Sequence, residues 1–339
     1  MQLNEIWFLI VGFLFIGYFV LDGFDFGVGM SLPFLGKDDT DRRVLINTIG
    51  PVWDLNETWV IVAGASLFAA FPEWYASLFS GFYLPLLLIL LALIVRGVAF
   101  EYRGKGHTIG ANVERWKATF DWMIVIGSAL PALLWGVAFA NIVQGVPLNA
   151  DHVYTGTIFT LLNPYGLLGG LVTLTLFWTH GLVFITLKTD GDIKERARAL
   201  ATKVGIGATV LAATFLVWTL IANFSVLGFI LSALAAVSLI AGLVANYFKR
   251  EGIAFSLLVL TIVTAVGSLF AALFPNVFPS STDAAFSLTI ENASSSQYTL
   301  TVMTWVAVIM IPLVLTYQGW TYWVFRNRVS RKSIPVGSH

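Results

Sequence analysis

The chain has 339 residues, of which 58% are hydrophobic and 11% charged, and its mean hydropathy is +0.83. A soluble domain is nearer half apolar and a quarter charged, so these values exclude a soluble enzyme and a disordered chain. The 19 basic and 19 acidic residues cancel, which leaves no net field to recruit nucleic acid, and the absence of cysteine excludes disulfides, thiolate nucleophiles and Cys-bound metals.

About 20 mainly apolar residues cross a bilayer as a helix, and nine such stretches are expected in an all-α polytopic membrane protein. The first, at 6–30, follows an N-terminus with no basic residue and carries two aspartates. It therefore reads as a mature helix rather than a cleaved signal. The second covers 51–71 and the third 76–99, with Pro85 inside it. The fourth covers 118–143, with Pro131 inside. Four more are expected at 164–187, 204–222, 227–248 and 253–274, and the last, at 300–325, contains Pro312. Each internal proline is expected to kink its helix. The first four spans hold the acidic residues, which suggests a first bundle at 1–143 and a second at 144–339 that includes the final span.

The cations orient the chain. All 19 lysines and arginines fall in or beside alternate connections: 31–50, 96–117, 188–203, 249–250 and the tail after 325. The intervening loops have none. By the positive-inside rule the N-terminus lies outside and the C-terminus in the cytoplasm.

Acids within the spans carry the chemistry. Asp22 and Asp25 are three residues apart and share one side of the first helix, as Asp54 and Glu57 do on the second. Arg96 and Glu101 end the third span and Asp121 begins the fourth. At 1.5 Å per residue, Asp22 and Asp25 lie about 24–29 Å along the first helix, whereas Asp54 and Glu57 lie about 5–9 Å from the inner end of the second. All these acids thus fall in the cytoplasmic third of the membrane. A charge at the bilayer centre costs about 3 kcal/mol on insertion scales, so it must face protein or water. Glu101 and Asp121 either neutralise Arg103 and Lys117 or join the same proton pathway. The other four are expected to hold exchangeable protons, with Arg96 as counter-charge. Gly23 and Gly27 form a small-xxx-small pair and Gly29 extends it, a pattern of close helix packing. Of four histidines, His107 and His152 fall in loops, His339 is terminal and only His180 lies in a span. No multihaem site and no metal site is expected in this chain.

The runs Gly23-Phe24-Asp25-Phe26-Gly27-Val28-Gly29-Met30, Asn47-Thr48-Ile49-Gly50-Pro51-Val52-Trp53-Asp54-Leu55-Asn56-Glu57-Thr58-Trp59 and Arg96-Gly97-Val98-Ala99-Phe100-Glu101-Tyr102-Arg103 resemble subunit II of the cytochrome bd-type quinol oxidases. The resemblance implies nine helices arranged as two four-helix bundles plus a peripheral one, in a multi-pass protein of the bacterial plasma membrane. It implies a complex that oxidises a membrane quinol and reduces oxygen to water, with haem b and haem d held by subunit I. It further implies that Asp25 and Asp54 serve proton entry towards those haems, with Trp53, Asn56 and Glu57 in the same motif. A quinone bound in subunit II and a small single-span accessory subunit occur in some members. Quinol and lipids complete the expected partners. The competing class is a proton-coupled secondary transporter, which also uses intramembrane acids but places them nearer the midplane.

Overall fold

The computed structural model describes residues 2–106 and 112–334. His107 and His339 lie outside the described residues. Helix α1 (Leu3–Leu35) is followed by a short amphipathic α2 (Asp39–Ile49), then α3 (Trp53–Ala70), α4 (Pro72–Gly81) and α5 (Tyr83–Tyr102). Next come α6 (Val113–Gln144), a single turn α7 (Ile158–Leu161), α8 (Pro164–Lys188) and α9 (Gly191–Ala222). Helices α10 (Val226–Tyr247), α11 (Glu251–Leu273) and α12 (Gln297–Val324) complete the bundle.

Eight helices among the described residues are long and apolar enough to cross a membrane. Helix α3, the second expected span, is not among them. It has 18 residues, and Asp54, Asn56 and Glu57 lower the apolarity of its first turns. The expected third span is not one helix either. Helix α4 ends at Gly81 and α5 starts at Tyr83, which places Pro85 in the first turn of α5. There a missing N–H costs nothing, whereas in a continuous helix the ring would meet the carbonyl of Gly81. Pro131 and Pro312 do stay inside α6 and α12. Local chemistry sets the other ends: Asn163 and Ser225 cap α8 and α10 through the N–H groups of Gly166 and Gly228.

The two ends of the bundle are built differently. At one, the long connections after α6 and α11 form a polar cap. An antiparallel pair, β1 (Asn276–Phe278) with β2 (Leu288–Thr289), is laid against residues 146–148. Asn4 donates to Ile290 O at 3.2 Å and His152 Nδ1 lies 2.8 Å from Phe286 O, so the cap also holds the start of α1. At the other end lies a belt of ion pairs. Arg103 binds Asp121 at 2.5 Å and Asp39 at 2.8 Å, and Lys117 binds Asp39 at 2.8 Å. Asp41 is buried between Arg196 at 2.9 Å and Arg331 at 2.5 Å. Helix α9 contributes because it begins about 20 Å before its expected apolar start, carrying Lys194, Arg196 and Arg198 into the belt.

Asp38 caps α2 by accepting from Asp41 N at 2.8 Å and also pairs with Arg331. The backbone N–H of Asp41, with Arg331 second, holds its carboxyl below the usual aspartate range. A depressed carboxylate stabilises the fold above its unfolded pKa of ~3.9 and loses that contribution as pH falls through the lower folded value. Asp38→Asn is therefore expected to leave a weaker but nearly pH-independent cap. Amide exchange across α2 should be faster than in the parent at pH 6 and converge with it in strong acid; a constant difference at every pH would refute the assignment.

Candidate proton-transfer site

The inner core of the site is a charged group set among apolar helices, with Arg96 and Asp22 fully buried and Glu57 half-buried. Arg96, on α5, is fully buried, and its Nη2 donates to Asp22 Oδ1 at 2.6 Å and Glu57 Oε2 at 3.0 Å. Its guanidinium lies over the Phe26 ring, 4.5 Å from the centroid. Helices α1, α3 and α5 thus each supply one member. Helix α6 closes the group from behind: Gly127 lets it approach so near that a Cβ there would lie 2.8 Å from Ala92 O and from Arg96 Cβ.

Asp25, one turn beyond Asp22, is fully buried and belongs to a second network, whose other members are uncharged. Its Oδ2 accepts from Asn56 Nδ2 at 2.8 Å. Asn56 Oδ1 accepts from Gln318 Nε2 at 3.1 Å and from the Tyr322 hydroxyl at 2.7 Å, while Trp59 Nε1 donates to Gln318 Oε1 at 2.7 Å. Trp59 itself lies across Gly17 of α1, where a Cβ would come within 2.2 Å of the ring. Tyr322 also lines a cavity of about 620 Å³ at the ion-pair end, together with Asn47, Thr48 and Lys188. Lys188 donates to Asn327 O at 2.9 Å and to Phe325 O, tying the end of α12 to α8.

The structure thus joins Asp22, Glu57 and Arg96 in one bonded group and sets Asp25, bonded to Asn56, one turn along α1 from Asp22. It separates the remaining expected acids from them. Asp54 is exposed, because α3 meets the bundle along Asn56, Trp59, Ala63 and Leu67 and Asp54 lies off that seam. Glu101 is exposed at the end of α5. Asp121 is buried but joined to Arg103 and Arg42 in the belt. Trp53 stacks at a tilt on Phe100, 5.2 Å between centroids. Gly23 and Gly29 face Phe177 and Ser128, and Gly27 meets Gly181 of α8 backbone to backbone. His180 is buried, with Nε2 3.1 Å from Val20 O and its ring stacked on Phe255. Among the described residues no group of three acidic or imidazole side chains could hold a metal ion.

Sequence reading missed Trp59, Gln318 and Tyr322 as site residues. The signal for the last two was available: a glutamine and a tyrosine four apart in an otherwise apolar span mark one polar helix face.

Comparison with known proteins agrees over the whole chain. The family described as cytochrome bd terminal oxidase subunit II matches residues 3–325. The chain is 42% identical over 336 residues to cytochrome bd ubiquinol oxidase subunit 2 of Bacillus subtilis, covering 98% of each. It is 39% identical over 375 residues to cytochrome bd-I ubiquinol oxidase subunit 2 of Escherichia coli K12, covering 99% of this chain and 98% of the other. A chain in the structure of the bd oxidase from Geobacillus thermodenitrificans shares the fold, with a TM-score of 0.78 at 15% identity, covering 96% of this chain and 99% of that one. This multi-pass membrane chain belongs to the cytochrome bd terminal oxidase subunit II family.

Proposed function

We propose that this chain is the non-haem-ligating subunit of a quinol:oxygen oxidoreductase and supplies part of its proton-uptake path. Haem b and haem d, carried by a subunit I, would perform electron transfer and oxygen reduction, while protein groups here hold and deliver protons. One observation carries this reading. Two acids from two helices, Asp22 and Glu57, share a single buried guanidinium, and a third, Asp25, one turn from Asp22, is linked through Asn56 to Tyr322, which lines a cavity at the cation-rich end. The positive-inside rule makes that end cytoplasmic, the side from which protons for oxygen reduction would come.

On this reading α3 is a ninth crossing, made short because Asp54 and Glu57 occupy its inner turns. The N-terminus is outside, and residues 1–143 and 144–339 form the two bundles, α12 being peripheral. Helix α12 buries only Leu300, Gln318 and Thr321, and α3 exposes Ile61, Val62 and Phe68. A carboxylate such as Asp54 on that outer face is costly against lipid, so this is the face assigned to subunit I, with Asp54 at the contact. A small single-span subunit, a structural quinone and bound lipids belong to the same proposal. The transporter reading is not retained, since family membership and acids displaced to one end both speak for the oxidase.

Asp25→Asn in the assembled complex should lower quinol-driven oxygen consumption about a hundredfold, the lower bound for removing a positioned proton-transfer group. Its haem spectrum should not change. Parental turnover in a correctly assembled variant would overturn the reading.

A further inference from the structure

The polar contacts on Asp25 have a fixed direction. An indole N–H can only donate, so the 2.7 Å contact from Trp59 Nε1 identifies the atom of Gln318 facing it as the carbonyl oxygen. The amide nitrogen of Gln318 must then face Asn56, 3.1 Å from Oδ1, where the Tyr322 hydroxyl also donates at 2.7 Å. With Oδ1 occupied twice, the amide nitrogen of Asn56 points to α1. It reaches Asp25 Oδ2 at 2.8 Å and the backbone oxygen of Leu21 at 3.4 Å. Turning Asn56 over would set its N–H against the N–H of Gln318 and its carbonyl oxygen against the carboxyl of Asp25. Oδ1 of Asp25 is buried and has no hydrogen-bond partner among the described residues.

We propose that Trp59, Gln318 and Tyr322 are positioning residues that lock the Asn56 amide in one orientation, so that Asp25 Oδ2 is a permanent acceptor and Oδ1 is the atom that takes up and releases the proton. The inference rests on the reading of Asp25 as a proton carrier and adds which of its oxygens works and what enforces the choice. Two of the three locking residues, Gln318 and Tyr322, come from α12, 262 residues from Asn56 at Gln318 and on the face assigned to subunit I. Seating of that helix and competence of Asp25 are therefore coupled.

The test uses the intact oxidase complex bearing Trp59→Phe, which keeps an aromatic ring and removes the donor, or Gln318→Met, which keeps the length and removes the amide. The probe is the redox-induced infrared difference spectrum, in which the carboxyl band that disappears in Asp25→Asn identifies Asp25. In both variants that band should move to higher wavenumber as its carbonyl loses a fixed donor, and turnover should fall about tenfold, the worth of one hydrogen bond to an ionisable group. Haem spectra confirm assembly; should Gln318→Met fail to assemble, Trp59→Phe and Tyr322→Phe carry the test. An unmoved band with parental turnover overturns the lock. Failure of the underlying reading is distinct: Asp25→Asn itself would then turn over normally, whatever the band does in the other variants.

Discussion

Replacing Arg96 with methionine is expected to abolish accumulation of the subunit, whereas Arg96→Met combined with Asp22→Asn and Glu57→Gln should restore it. Arg96 is fully buried and bonded to Asp22 and Glu57 at 2.6 and 3.0 Å. Taking away the guanidinium leaves the fully buried Asp22 carboxylate and the half-buried Glu57 without their shared counter-charge. Breaking such a buried pair from one side costs about 3–5 kcal/mol, a large part of a typical total stability of about 5–15 kcal/mol. Exchanging the whole group for uncharged residues of similar volume removes that penalty and is often neutral. Subunit stoichiometry and thermal inactivation of the solubilised complex provide the measurement. Equal loss in the single and triple variants would show that Arg96 acts through packing on Phe26 rather than through charge. Activity separates structure from chemistry in the same experiment, since the restored triple variant should assemble and still turn over slowly.

Gly27→Ala is the second change with a large expected effect, and Gly23→Ala is its control. A Cβ on Gly27 would lie 2.1 Å from Phe177 O and 2.7 Å from the backbone of Gly181. Helix backbone cannot swing aside as a side chain can, so α1 and α8 must separate along their length. Overpacking of this kind typically costs ~1–3 kcal/mol and occasionally more, and here it would also pull Asp25, two residues away, off the bond to Asn56. A Cβ on Gly23 meets only the Phe177 ring, at 2.9 Å, and a ring edge can shift by a few tenths of an ångström. Gly27→Ala should therefore lower both thermal stability and turnover, and Gly23→Ala far less of either. Indistinguishable variants would mean that the α1–α8 contact is looser than its backbone separation indicates.

Segregation of cations into alternate connections was legible because it depends on residue type and position in the chain alone. The concentration of acids towards one end of the helices was legible for the same reason, a rise of 1.5 Å per residue being nearly invariant. What periodicity did not reveal was which acids meet. Asp54 and Glu57 share a side of α3 by spacing, yet only Glu57 reaches Arg96. The helix touches its neighbours along a narrow seam, and where that seam runs depends on α1 and α12. Asp121 was expected in one layer with the other acids; its pairing with Arg103 and Arg42 places it in the belt that fastens α2 against α5 and α6.

By itself the sequence determined that this is a multi-pass helical membrane chain and which family it joins, and it named the acidic residues within the spans. Those properties follow from hydropathy, charge placement and contiguous motifs, all of them local. Tertiary structure alone decided that the expected third span breaks ahead of Pro85, that Arg96 serves two acids at once, and that Gln318 and Tyr322 of the last helix donate to an amide on α3. Hydrogen-bond direction between residues hundreds of positions apart depends on how helices rotate and approach one another, and that is set by small residues such as Gly17, Gly27 and Gly127 opposite large ones.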